Sequence, residues 1–374
     1  WCNGRSLDRN LPTLAGELRK AGYSSNYIGK WHLAPDSVAE GGSIGPVKSD
    51  RRGGFLDLWE GSNVLEFTSH PYEGLIYDGD GKEISFKDRY RVDFLTDRAE
   101  RFLRQKHDRP FFLFVSQLEP HQQNDMGRII GPKGSAERFI DAFVPPDLRT
   151  FPGDWHRQLP DYYGACESND ASVGRLRKVL EEQGLADNTI FVFMSDHGCH
   201  FMTRNSEYKR STHNSSLRVP LIIEGPGFDG GGPVQEIVGL IDIAPTLLEA
   251  AGVTIPSSWK GSSIFSLAKS AKARAAWPNR QLIQISESMT ARAIRTKDWT
   301  YCVAEPGGHT ESATSPHYQE YQFYDQRNDP YELVNLAGRK EYRHIGAGLR
   351  EDLLKMIAAA GEPEPTIVPA PLYP

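Results

Sequence analysis

The chain has 374 residues, 39% of them hydrophobic and 25% charged, with a formal net charge of -6 at pH 7. That length favours one large domain plus a smaller one, and the acidic balance, with a pI near 6.0, carries no nucleic-acid signature. The longest apolar runs, PFFLFV and TIFVFM, are far too short to span a bilayer.

In chain order, TLAGELRKAG places Leu14, Leu18 and Ala21 on one face and stops at Gly22, the pattern of an amphipathic helix with a glycine C-cap. YSSNYIG then reads as a short strand ending at Gly29. Val92, Leu95, Ala99 and Phe102 mark a second helix, which feeds the strand Pro110 to Ser116. The stretch from Asn124 to Pro160 is polar and rich in Pro and Gly; it is expected to be a long surface excursion near the site. Cys166, Val173, Leu176 and Leu180 mark a third helix closed by Gly184. NTIFVFM and VPLIIEG follow as strands, and DIAPTLLEAAG as a helix with Asp242 as N-cap and Gly252 as C-cap.

Strands alternating with helices imply an α/β fold with a mostly parallel sheet sandwiched by helices. The pattern breaks between Pro256 and Pro278, which places a catalytic domain at 1–265 and a C-terminal subdomain at 279–374. QLIQIS, MTARAIRT, WTYCVAE and YQFYD read as short antiparallel strands of that α+β subdomain, followed by a helix from Arg343 to about Ala359.

In a doubly wound sheet, ligands bind beyond the carboxyl ends of the strands. The first strand is followed by Lys30 and His32, the second by His121, and the third by Asp196 and His197, with Lys209 downstream. Lysines supply point charges and histidines supply donors, a set that suits a multiply charged anion. Asp196 repels such an anion unless it holds a hard cation, Ca²⁺ or less readily Mg²⁺. Hydrolysis of a sulfate or phosphate ester is the reaction class that follows. Taken singly, most of these residues have plainer readings: a turn-capping aspartate, solvated lysines and arginines, a small buried Cys199. Their joint placement at three strand ends carries the inference.

The same segments resemble the type I sulfatases of the alkaline phosphatase superfamily. AGYSSNYIGKWHL is similar to that family's second signature, and NTIFVFMSDHG with EYKRSTHNSSLRVPLIIEGPG to its central block. IVGLIDIAPTLLEAAGV and QFYDQRNDPYELVNLA are similar to later blocks, so the resemblance runs in order from about Leu11 to Leu336. It implies an alkaline phosphatase-like fold. Lys30 and His32 would contact sulfate and nucleophile, His121 would bind sulfate or protonate the leaving group, and Lys209 would contact the sulfate ester. Asp196 and His197 would be ligands of one calcium ion. CHFMTRNSEYKRS is similar to sulfatases acting on carbohydrate sulfates, which makes His200, Arg204 and Asn205 candidate sugar contacts. A sulfated polysaccharide or oligosaccharide substrate and a periplasmic or secreted location are the corresponding expectations.

The family nucleophile is a formylglycine made by a formylglycine-generating enzyme from the Cys or Ser of a C-x-P/A-S-R motif. This sequence has no such motif: Cys2 stands in CNGRS, and the family's N-terminal Asp-Asp pair is missing. The chain therefore reads as a fragment whose nucleophile and remaining calcium ligands lie upstream, and which would be inactive alone. Two other readings stay open from the residues: a phosphoester or phosphonate hydrolase of the same superfamily, and a non-catalytic homologue that binds sulfated glycans.

Overall fold

The computed structural model describes residues 5–38, 41–228, 232–267, 269–307 and 312–373; Cys2 lies outside them. Helix α1 (Leu14–Lys20) begins at Thr13, whose hydroxyl accepts the Gly16 N–H at 3.0 Å, a side-chain N-cap. It leads into β1 (Ser24–Lys30), which pairs in parallel with β2 (Trp59–Ser62). A short helix α2 (Leu65–Thr68) and strands β3 (Ser69–His70), β4 (Glu73–Tyr77) and β5 (Glu83–Lys87) follow. Helix α3 (Arg91–Leu103) then crosses over to β6 (Phe111–Ser116), which lies parallel to β1 on its other side. The six-stranded sheet runs β3-β4-β2-β1-β6, with β5 on β4. Its parallel part, β2-β1-β6, carries the site, and β4 joins it antiparallel. Gly29 is required at the centre: a Cβ there would stand 2.0 Å from the Ser116 carbonyl oxygen of β6.

The excursion after β6 contains α4 (Ser135–Arg138) and α5 (Pro146–Thr150). It ends earlier than its composition suggests. Helix α6 runs from Trp155 to Glu182 with Pro160 inside it, because its first half buries Leu159 against Ile129, Leu148 and Phe201, its second half buries Leu176, Val179 and Leu180 in the main core, and burial outweighs the helix-breaking cost of one proline. Helices α3 and α6 pack together through the buried Thr96–Ser172 hydroxyl pair at 2.6 Å and against Ile28 of the sheet. The other face of the sheet is an aromatic cluster of Tyr27, Trp31, Phe55 and Trp59 closed by Ala15 of α1.

Strand β7 (Phe191–Met194), helix α7 (Asn214–Leu217) and strand β8 (Leu221–Glu224) come next. β7 and β8 form their own antiparallel pair. The connection between them contains only four residues of α-helix, too few to pack on the sheet as a crossover. Helix α8 (Ile243–Ala250) starts beside Asp242, but that carboxylate does not cap it. Asp242 instead accepts the N–H groups of Gly239 and Ser262 and the Gln281 amide, each at 2.8 Å, so the expected N-cap is a loop brace.

After α9 (Ala271–Ala276), strands β9 (Arg280–Ile285), β10 (Ala291–Thr296), β11 (Trp299–Ala304) and β12 (His317–Asp325) form an antiparallel sheet. Helix α10 (Arg343–Ala360) covers it, and β13 (Thr366–Val368) adds to β12 in parallel. Ile294, Tyr301, Val303, Phe323, Leu349, Leu353 and Ile357 make its separate core.

Candidate active site

Lys30 is the last residue of β1, and its Nζ donates to Glu66 Oε1 at 2.9 Å. Glu66, on α2 beyond β2, is buried; its Oε1 also accepts Asn124 Nδ2 at 3.3 Å. Burial opposes its ionisation, but the Lys30 ammonium and its hydrogen bond hold the carboxyl below the usual range. His32 follows with φ of 52° and donates its backbone N–H to the Asn63 carbonyl at 2.7 Å. A positive φ at a non-glycine residue is uncommon, and here it turns the chain sharply beyond the strand.

His121 sits beyond β6 on a turn braced by a buried ion pair. Arg91 Nη2 reaches Glu119 Oε1 at 2.8 Å, both side chains almost fully enclosed. The imidazole of His121 is held from both sides. Its Nδ1 lies 2.6 Å from the Gln122 carbonyl oxygen, and its Nε2 lies 2.8 Å from the Tyr208 hydroxyl. A carbonyl only accepts, so Nδ1 carries the proton and Nε2 accepts from Tyr208. Burial, then the Lys30 charge, bring the His121 pKa down to about 4; Lys209 adds to the effect and Glu66 opposes it.

Lys209 adjoins Tyr208, with Nζ 5.3 Å from that ring's centroid. Burial first, then the charges of Lys30 and Arg210, lower its pKa. Burial also lowers His32 and His197. The charges of Lys30 and Lys209 act on His32, His121 and His197 alike. The strand ends thus bring Lys30, His32, His121, His197 and Lys209 into one electrostatic neighbourhood.

Asp196 is 82% exposed at the side chain and accepts the His197 N–H at 2.9 Å. His197 Nδ1 donates to the Gly198 carbonyl at 2.8 Å, and Nε2 faces Asp196 Oδ2 at 3.3 Å. In the neutral ring these are two acceptors side by side, an arrangement that suits a cation. A calcium ion takes six to eight oxygen ligands, and no three His, Cys, Asp or Glu side chains among the described residues gather as a metal site. Asp196 and His197 do not make a calcium site by themselves. No described cysteine fits a nucleophile either: burial pushes Cys166 up to about 11 and Cys199 and Cys302 up to about 12, which keeps them inert thiols at neutral pH.

The three expected sugar contacts are buried or engaged within the chain. His200 is fully buried, with neither ring nitrogen hydrogen-bonded. Arg204 donates to the carbonyls of Glu332 and Tyr331 at 2.8 and 2.7 Å and stacks on Phe151. Asn205 bonds the Arg210 carbonyl and the Glu207 N–H, both at 2.8 Å. Arg204 thus ties the segment carrying Lys209 to the loop after β12, and Asn205 braces that segment internally. The sequence reading missed Glu66 and Tyr208. The EYK triplet pointed to Tyr208, whereas WEGS, with no apolar run, hid β2 and so the strand end leading to Glu66.

A family model described as Sulfatase matches residues 3–253, and one described as N-sulphoglucosamine sulphohydrolase, C-terminal, matches residues 206–359. An ulvan-active sulfatase of Formosa agariphila is 30% identical over 92% of this chain and 66% of its own length. Arylsulfatase K of Bos taurus is 30% identical over 96% of this chain and 69% of its own length. The chain thus spans about two thirds of the length of these relatives. Among solved structures, a Bacteroides thetaiotaomicron protein described with the metabolism of multiple glycosaminoglycans superposes with a TM-score of 0.78 at 21% identity, over 97% of this chain and 80% of that one. This likeness supports the alkaline phosphatase-like architecture. With the Sulfatase model covering more than half of its length, the chain belongs to the sulfatase family.

Proposed function

We propose that this protein is a sulfuric ester hydrolase acting on a sulfated carbohydrate, with Lys30, His32, His121 and Lys209 holding the ester sulfate. The observation that carries the reading is two lysines, partly withdrawn from water, whose charges bear on the same three histidines. Their mutual repulsion is relieved when an anion lies between them. The ulvan-active relative supports a polysaccharide substrate.

Within this reading, Lys30 and Lys209 neutralise the sulfate oxygens and orient the sulfur. His121 gives a proton to the departing sugar oxygen. An anion bound beside Lys30 and Lys209 offsets the charges that depress His121, so substrate binding itself raises the proton affinity of the imidazole. The attack on sulfur is assigned to a hydrated formylglycine on a residue outside the described set, installed by a formylglycine-generating enzyme; no described side chain takes that role. Asp196 and His197 are assigned as two ligands of a calcium ion whose other ligands lie elsewhere, and which would polarise the ester sulfate. Among the described residues no helix is long and apolar enough to cross a membrane. A periplasmic or secreted location is part of the same proposal.

The test is side-by-side turnover of an aryl sulfate and an aryl phosphate by the full-length protein. Preferred hydrolysis of the sulfate is expected. Faster hydrolysis of the phosphate would replace the reading with that of a phosphoester hydrolase, and turnover of neither would leave a glycan-binding homologue.

A further inference from the structure

Among the described residues, the Tyr208 hydroxyl is the hydrogen-bond partner of His121 Nε2. The hydroxyl lies 2.8 Å from Nε2, and the two rings meet edge to face, with centroids 5.7 Å apart and planes at 90°. On the opposite side the Gln122 carbonyl fixes the proton on Nδ1. The segment bearing Tyr208 is itself anchored. The Tyr208 carbonyl accepts the His200 N–H at 2.7 Å, and Asn205 and Arg204 tie the same turn down on either side. The hydroxyl is therefore presented to the imidazole by a rigid support.

Resting on the function proposed above, we infer that Tyr208 is a positioning residue for His121: its hydroxyl donates to Nε2 in the resting site and accepts from Nε2–H once the ring is protonated. The exchange balances without any further reactant. A proton from solvent binds the Nε2 lone pair, and the Tyr208 O–H rotates from donor to acceptor. When the bond between sulfur and the sugar oxygen breaks, its electron pair stays on that oxygen, which displaces the Tyr208 oxygen as acceptor and takes the Nε2 proton. The ring returns to the neutral tautomer with Nδ1–H on Gln122, and Tyr208 donates again. The groups whose charges bear on the ring are Lys30 and Lys209, which oppose protonation, and Glu66, which favours it. Tyr208 is itself held neutral, since burial raises its phenol well above the usual value. The hydrogen bond accepted from the charged ring is the stronger of the two. Losing the hydroxyl therefore lowers the proton affinity of His121 in the free protein while releasing the ring from its orientation.

The test is Tyr208→Phe in the full-length protein, which keeps the edge-to-face ring contact. Two readouts are taken. Long-range ¹H–¹⁵N correlation spectra follow the tautomer and titration of His121 and need no turnover. The expected result is Nδ1–H in both proteins, with the His121 titration moved to lower pH in the variant. Steady-state kinetics on a carbohydrate sulfate follow the second expectation: kcat down by about tenfold or more, KM within about twofold, and the pH limb of kcat displaced. Unchanged titration and unchanged kcat would overturn the inference, as would a raised KM with kcat intact, which marks a binding or purely packing role. If the wild-type protein hydrolyses no sulfate ester, the proposed function fails, while the spectra still decide whether Tyr208 governs the imidazole.

Discussion

His200 and His213 lie beneath the site, buried where protonation is costly. Burial brings the pKa of His200 down to about 4 and holds His213 well below its ordinary value. His213 keeps partners, with Nε2 3.1 Å from the Tyr324 hydroxyl and Nδ1 3.2 Å from Ser211 Oγ. His200 has none at either nitrogen. Both are neutral in the folded protein near pH 7, whereas in the unfolded chain they titrate near the ordinary histidine value of 6.5. Below that pH the unfolded state binds more protons, so stability falls as pH drops from about 6.5 towards 4. The stabilisation is fully present above the unfolded value and is lost as pH falls through the folded one. Urea unfolding between pH 7 and 4.5 should show a falling midpoint, and His200→Gln should flatten part of that slope. An identical slope in the variant would remove His200 as a cause. At this scale the positions of Lys30, His121 and Asp196 at or just beyond strands β1, β6 and β7 were legible in the sequence. The surroundings of His200, Arg204 and Asn205 were not. Their residue types suit a sugar as well as they suit buried docking, and only the partners Glu332, Tyr331 and Arg210 distinguish the two.

Among the elements, the stretch from His200 to Asn214 is what links the two sheets. Thr212 bonds Gln322 on β12 at 2.8 Å. The Asn214 N–H, which opens α7, donates to Glu332 Oε2 at 2.6 Å. Oε1 of the same carboxylate accepts the Gln326 amide at 2.6 Å and the Thr300 hydroxyl at 3.3 Å. Burial raises the pKa of Glu332, but its three donors make it the hub of the joint. Glu332→Ala leaves the Asn214 N–H and the Thr300 hydroxyl without that acceptor, while the Gln326 amide keeps Thr300 Oγ1 at 2.8 Å, and should cost about 2–4 kcal/mol of unfolding free energy, read from urea titration. A loss under about 0.5 kcal/mol, the range of ordinary surface changes, would mean that the joint is held elsewhere. Helices α1 and α3 were legible because their apolar residues recur with helical spacing and bury one face. β2 was not: Trp59, Glu60, Gly61 and Ser62 are all buried, yet only one is apolar. Glu60 is enclosed because Arg98 and Arg101 both reach it, a compensation that composition cannot show. The antiparallel pairing of β7 with β8 was hidden for another reason, since an apolar run of that length suits either direction.

For the whole molecule, parallel β2-β1-β6 and the separate β7/β8 pair deliver strand ends to one face, and the C-terminal sheet supports it from below. The alternation of strands and helices sufficed for the architecture, and the order of motifs sufficed for the family. The site's electrostatics required the fold, because Glu66 comes from a segment with no chemical signature of its own and the contact of Tyr208 with His121 joins positions 87 residues apart. The central claim is that this face grips an ester sulfate between Lys30 and Lys209. It is tested most directly by the rate of sulfate release from an aryl sulfate by full-length Lys209→Ala, set beside wild type and an Arg177→Ala control on the exposed side of α6. The account predicts a loss in kcat/KM of about 10²–10³ for Lys209→Ala, the scale of removing one preorganised charge-stabilising donor, and a rate for the control within about twofold of wild type. Equal rates for the two variants would contradict it.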